Sequence, residues 1–189
     1  TAIGESAMVD LVEGTNNIAI GKAAFGGALD ATADASTDNI FIGKDSGGGA
    51  WVTAVSNYNV AVGNLTMDAA MNGALNNTAV GHAALSAVTE GDGNTAIGWS
   101  AGVAITVDSG NTIVGYDAGS DSNHSQATAV GYQAGKAVTS TGAVNIGYQS
   151  GVALTSGSGN TSVGYLSLKS LTTGSGNTAI GNKALEAAL

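Results

Sequence analysis

The 189-residue sequence contains no cysteine, no proline and no arginine. Without cysteine there are no disulfides and no thiolate chemistry, although the compartment stays unassigned. Without arginine, and with five lysines against 14 acidic residues, there is no basic patch of the kind that nucleic acid requires. Charge of either sign is scarce, at 10% of residues against roughly 25% in an ordinary soluble domain. The net charge is nevertheless −9, because the few charges are mostly acidic. Two Trp, two Phe and five Tyr are too few to fill a large mixed core. No apolar run reaches the ~18 residues of a membrane-spanning helix, and no signal peptide is visible. The first residue is Thr1, so a processed or excised piece of a longer protein is expected.

What the sequence does have is 30 glycines and a bias to Ala, Thr, Asn and Ser, which points to a repeat. The unit is Asn-Thr-Ala-(Ile/Val)-Gly. Its glycine falls at Gly4, Gly21, Gly43, Gly63, Gly81, Gly98, Gly115, Gly131, Gly147, Gly164 and Gly181. The eleven copies are spaced by 17, 22, 20, 18, 17, 17, 16, 16, 17 and 17 residues, so the repeat covers the whole of 1–189 as one domain. The longer insertions fall near 26–38 and 47–58. Those two segments are expected to project as loops, the second carrying Trp51 and Tyr58.

Each column of the repeat has a physical reading. The residue before the glycine is always Ile or Val: Ile3, Ile20, Ile42, Val62, Val80, Ile97, Val114, Val130, Ile146, Val163 and Ile180. Three before the glycine stands another β-branched residue, Thr in seven copies and Ile or Val in Ile18, Ile40, Val60 and Val144. Two β-branched residues around one smaller residue make a short strand. The Ile/Val column is expected to be the core ladder, with Thr on the same strand face, pointing inward or to a trimer axis. Four before the glycine, Asn17, Asn39, Asn59, Asn77, Asn94, Asn111, Asn160 and Asn177 could stack into an amide ladder. The glycine is read as a corner whose backbone a side chain would forbid. A second short strand and a variable loop, often ending Gly-x-Gly-Asn, should follow.

A unit of ~17 residues cannot bury its own apolar face. Coils stacked at roughly 4.7–4.9 Å would give parallel ladders and a rod about 50 Å long. The expected fold is therefore all-β, a parallel β-solenoid or β-roll of about eleven coils. No helical stripe persists, and the connections are too short for crossover helices. A smooth small-residue face would be covered by other copies of the chain, with three around an axis as the natural closure.

The Asn-Thr-Ala-Ile-Gly of 94–98 and 177–181 resembles the Asn-Ser-Val-Ala-Ile-Gly repeat in the heads of trimeric autotransporter adhesins of the Yersinia type. The units at 77–93 and 126–142 are similar to repeats in phage tail fibres, which are often followed by a self-cleaving chaperone domain. The resemblance covers the whole chain. It implies a left-handed β-roll and a tight homotrimer. The coil here is longer than in the adhesins, about 17 rather than nearer 14 residues, and within these 189 residues no stalk, anchor or chaperone segment is visible.

Trp99, Tyr116, Tyr132, Tyr148 and Tyr165 follow the glycine on five consecutive coils. They read either as a recognition strip for glycan or as a self-stacking ladder. Asp121-Ser122-Asn123-His124 has the ingredients of a nucleophilic site, but neighbours in sequence do not make a triad. His82 and His124 occupy non-equivalent positions, which argues against a paired-imidazole metal site. Asp30, Asp34 and Asp38, and Glu90 and Asp92, offer oxygens to calcium without the repeat of calcium-binding rolls. No catalytic, cofactor or metal residue is therefore assigned. The expected role is that of a structural and adhesive segment of an extracellular homotrimeric fibre. A phage tail fibre contacting the host surface comes first and a bacterial adhesin head second. An ice- or calcium-binding solenoid is a third class. The expected partners are further copies of the chain, other fibre or virion subunits and a host-surface glycan or protein, with no membrane insertion. The repeat is under way at the first residue and runs to the last without caps, so more chain or another subunit is expected to continue the rod.

Overall fold

The computed structural model describes residues 1–27, 35–52, 54–121 and 123–187. Eleven strands form one sheet in sequence order. They are β1 Ala2–Ile3, β2 Ile18–Ile20, β3 Ile40–Ile42, β4 Val60–Val62, β5 Thr78–Val80, β6 Thr95–Ile97, β7 Thr112–Val114, β8 Thr128–Val130, β9 Val144–Ile146, β10 Thr161–Val163 and β11 Thr178–Ile180. Each pairs in parallel with the next, repeat position on repeat position. Parallel neighbours one coil apart define a β-solenoid, and coil n is named here for its strand βn.

The corner glycines are required by geometry. All eleven have φ between +129° and +141°. A Cβ on any of the first ten would overlap the carbonyl of the corner glycine on the next coil. The coils can therefore approach to ladder distance only where this side chain is absent.

The expected second strand does not form. After the corner the chain makes a turn in which the second and fourth residues are both left-handed, as in Ala83 (φ 56°) and Leu85 (φ 50°). Such residues cost roughly 1 kcal/mol or more each outside glycine. Stacking offsets that cost by pairing the turn from coil to coil. Ala83 N donates to Asn64 O on the coil before, and Leu85 N donates to Ala101 O on the coil after.

The expected core ladder is also inverted. The Ile/Val column points outward: Ile3, Val80, Ile97, Ile146 and Ile180 are exposed, and Ile20, Ile42, Val62, Val114, Val130 and Val163 are half-buried. The Thr/Ile/Val column two residues earlier faces the same way. The buried residue is the one between them: Ala19, Phe41, Ala61, Ala79, Ala96, Ile113, Ala129, Asn145, Ser162 and Ala179. It faces the small residue three past the corner, such as Ala84, Ala101, Ala118 and Ala134, all fully buried. The interior between strand and turn is too narrow for two β-branched columns, so the small residues take it.

Where the inward strand residue is large, the turn gives way. Phe41, Ile113 and Asn145 are matched on their own coils by Gly47, Gly119 and Gly151, where a Cβ would run into each of those side chains. On coils 2, 4, 5 and 10, where the strand has Ala or Ser, the turn contributes Phe25, Met67, Leu85 and Leu168, while coils 6 and 8 pair Ala96 and Ala129 with Gly102 and Gly135. Loop residues finish the core: Met71, Val88, Ile105, Val138, Leu154 and Leu171. Trp51 joins them fully buried, with its ring centroid 4.5 Å from Phe25 and 5.5 Å from Phe41. The insertion at 47–58 thus turns its tryptophan inward instead of projecting it, while Tyr58 stays exposed. Most of the insertion expected at 26–38 lies outside the described residues.

The asparagines do form a ladder inside the stack. Asn39 N and Nδ2 both donate to Asn17 Oδ1, at 2.9 and 3.2 Å. The same pair of bonds recurs from Asn39 to Asn59, Asn77, Asn94 and Asn111. The ladder breaks at Ala127 and Ala143 and resumes between Asn160 and Asn177.

Candidate interaction surface

The inversion of the strands determines what the molecule shows to its surroundings. Two columns of β-branched side chains stand outward along one flat, in-register face. Among the described residues each strand packs only on its neighbours in the stack, and the outward columns are half-buried to exposed. Eleven strands at about 4.8 Å and three residues of width make an apolar strip on the order of 500 Å². That lies in the upper part of the roughly 300–600 Å² of a typical monomer's largest patch, which is often a functional one. In coils 5 to 8 the face reads Thr-x-Val, Thr-x-Ile, Thr-x-Val and Thr-x-Val, and in coils 2 to 4 both columns are purely aliphatic.

The aromatic column lies one residue past the corner, at the edge of this face. The structure brings all five residues together. Ring centroids are 4.8 Å apart for Trp99–Tyr116, 5.4 Å for Tyr116–Tyr132, 5.1 Å for Tyr132–Tyr148 and 5.2 Å for Tyr148–Tyr165, with planes within 19° of parallel. His82 adds a sixth ring at 6.3 Å from Trp99, a member that the sequence pattern of Trp and Tyr did not include. Each aromatic pair contributes ~0.5–1.5 kcal/mol beyond its buried area. The rings are between 41% and 49% exposed. Because each inner ring is stacked on both sides, a ligand meets ring edges and hydroxyls rather than open faces. Stacking of a sugar on a ring face therefore has little room here.

A polar row runs beside the ladder. Gln149 Nε2 donates to Gln133 Oε1 at 2.9 Å, and Gln133 Nε2 donates to Asp117 Oδ2 at 3.1 Å. Lys136 Nζ closes on the same carboxylate oxygen at 2.6 Å. Burial would raise the Asp117 pKa, but hydrogen bonds from Lys136, Ser120 and Gln133 outweigh it and hold the carboxyl below its ordinary value. The Lys136 ammonium is raised, first by that hydrogen bond to Asp117.

The other candidates are not assembled into sites. His124 is buried in the core, Asp121 is exposed and accepts from Ser120 Oγ, and Ser122 lies outside the described residues. Asn123 Oδ1 accepts from Thr106 N at 2.7 Å. Asp30 and Asp34 also lie outside the described residues, while Asp38, Glu90 and Asp92 accept hydrogen bonds between coils. Among the described residues no group of three or more His, Asp or Glu could hold a metal ion, and no helix is long and apolar enough to cross a membrane. Comparison with family models, with curated proteins and with solved structures returns no match.

Proposed function

We propose that this chain is a rod-forming segment of an extracellular homotrimeric fibre, with a structural and adhesive role and no enzymatic one. The observation that carries the reading is the uncovered Ile/Val column, which runs outward along the whole stack. Such a strip costs solubility unless something covers it. Three copies turned inward about one axis would cover it along its full length. With the aromatic edge added, the strip is about 15 Å wide, giving about 750 Å² per chain, close to the ~800 Å² each partner brings to a standard interface. Sedimentation equilibrium tests this directly. A trimer has a mass of 3 × 18.2 = 54.6 kDa, and a stable species at 18.2 kDa refutes the assembly.

The tail-fibre reading and the adhesin-head reading share this rod. The first predicts a chaperone domain in the same open reading frame, the second a stalk and membrane anchor. One further reading is favoured by a specific observation. The threonines at 78, 95, 112 and 128 stand outward from their own coils in register, and a hydroxyl and methyl array of that kind suits ordered water at an ice surface. Thermal hysteresis from an 18.2 kDa monomer would favour it over the fibre, because a trimer closed on this face has no free array.

A further inference from the structure

We propose that coils 7 to 9 form an acid-labile seam, in which the buried ring of His124 opens the rod locally when it takes up a proton. Three independent features meet there. The apolar core is in two parts, one running from Ala19 to Ala134 and the other built on Val138, Ala143, Leu154, Leu168, Leu171 and Ala179. The strand position between them is filled by Asn145, whose Nδ2 is buried without a hydrogen-bond partner. Its Oδ1 accepts from Ser162 Oγ at 2.9 Å, so polar atoms stand where other coils have methyl groups. The asparagine ladder is missing at the same place, at Ala127 and Ala143.

His124 is the third feature. It stands two residues further past its corner than Val88, Ile105, Val138 and Leu154 do past theirs, yet its ring lies over Gly119 as Ile105 lies over Gly102, and it is 2% exposed. Among the described residues neither ring nitrogen has a hydrogen-bond partner. Its Nε2 lies over Gly119, where a Cβ would be 2.8 Å away, so the ring fills the room that glycine leaves beside Ile113. The only charged group among the described residues that acts on it is Asp108 on the preceding loop, and that carboxylate is engaged by Ser125 Oγ at 2.6 Å. An imidazolium in this slot would be a buried charge that its own backbone and Asp108 only partly offset. Burial lowers the His124 pKa, with a smaller opposing contribution from its own backbone and Asp108. The folded coil therefore binds fewer protons than the opened one. Stability is complete above the ordinary histidine pKa and falls as pH drops below it, until the lowered folded value is passed.

Hydrogen exchange followed by mass spectrometry on the whole chain at pH 7.5 and pH 5.0 tests this, with rates corrected for intrinsic exchange. Peptides from 108 to 145 should lose protection by up to about 30-fold, the proton-linkage limit for 1.5 pH units below pH 6.5, while coils 4 and 5 hold theirs. In His124→Leu the difference between the two pH values should vanish at the seam. Equal loss along the whole rod, or an unchanged response in His124→Leu, overturns the proposal. Should that variant not fold, an NMR titration of the wild type decides. His124 resonances that titrate at the ordinary histidine value with the coil still protected also overturn it. A histidine that stays neutral until the seam opens supports it.

Discussion

Replacing Asn94 with alanine tests the internal ladder where it is most demanding. Asn94 Nδ2 donates to Asn77 Oδ1 at 3.1 Å and to Asp108 O at 2.9 Å. Its Oδ1 accepts from Asn111 N at 3.0 Å and Asn111 Nδ2 at 2.8 Å. The substitution removes four bonds. Asn77 Oδ1 keeps its bond from the backbone N of residue 94. Asp108 O, Asn111 N and Asn111 Nδ2 lose theirs, and Asn111 is 1% exposed. At roughly 1–3 kcal/mol for each buried group left unsatisfied, three groups give a loss of about 3 kcal/mol at the low end. Asn177 is the control, because it donates to Asn160 but accepts no bond from a further rung. Asn177→Ala should cost about 1 kcal/mol. Urea denaturation read by the fluorescence of Trp51 and Trp99 measures both. If Asn94→Ala unfolds within 1 kcal/mol of wild type, or no further from it than Asn177→Ala, the amide ladder is not what holds the coils in register.

The other expectations concern different parts of the coil. Gly98→Ala places a Cβ on Gly115 O at a φ of +141°, so the coil should open locally; circular dichroism should show lost β signal with a lower melting temperature, and an unchanged melt contradicts the corner argument. Val130→Lys puts a charge on the half-buried outward face; the single chain should keep its fold while the sedimentation mass falls from 54.6 towards 18.2 kDa, and an intact trimer places the interface elsewhere. Asp117→Asn removes a carboxylate whose pKa is held low in the fold. Its contribution to stability is present above the ordinary aspartate value and is lost as pH falls through the lowered one. The wild type should therefore lose its advantage over the variant below about pH 4 in acid-unfolding curves.

The period, the strands and the corner glycines were legible because each is written in a residue type that does one thing. Ile or Val before glycine marks a strand end, and a φ near +135° accepts only glycine. The facing of the strand was not legible from β-branching alone, because a shift of one residue exchanges the two sides. The signal that settles it was nevertheless present. Phe41, Ile113 and Asn145 replace the usual alanine or serine only on coils whose turn offers Gly47, Gly119 and Gly151. A bulky residue compensated by a glycine six positions later is the mark of a confined interior. The alternating left-handed turn left no such mark, since Ala83, Leu85, Ser100 and Gln133 carry no preference for that conformation. Trp51 looked like a loop residue because nothing in its neighbourhood names Phe25 and Phe41 as its partners. The aromatic ladder was visible as a run of Trp and Tyr, but the stacking that covers the inner ring faces depends on coil spacing.

Coil length varies from 16 to 22 residues, yet Ile18 pairs with Ile40 and Thr112 with Thr128 in the same repeat register. The whole difference is absorbed in the stretch between the turn and the residue four before the next corner glycine. Gains and losses of sequence are therefore decoupled from the ladder. A duplication of one complete unit would lengthen the molecule by about 4.8 Å, replacing the contacts at the insertion point with equivalent ones and leaving the rest unchanged. Growth by unequal exchange between near-identical segments such as 157–168 and 174–185 is then structurally neutral, and such a gene can tune reach in single-coil steps.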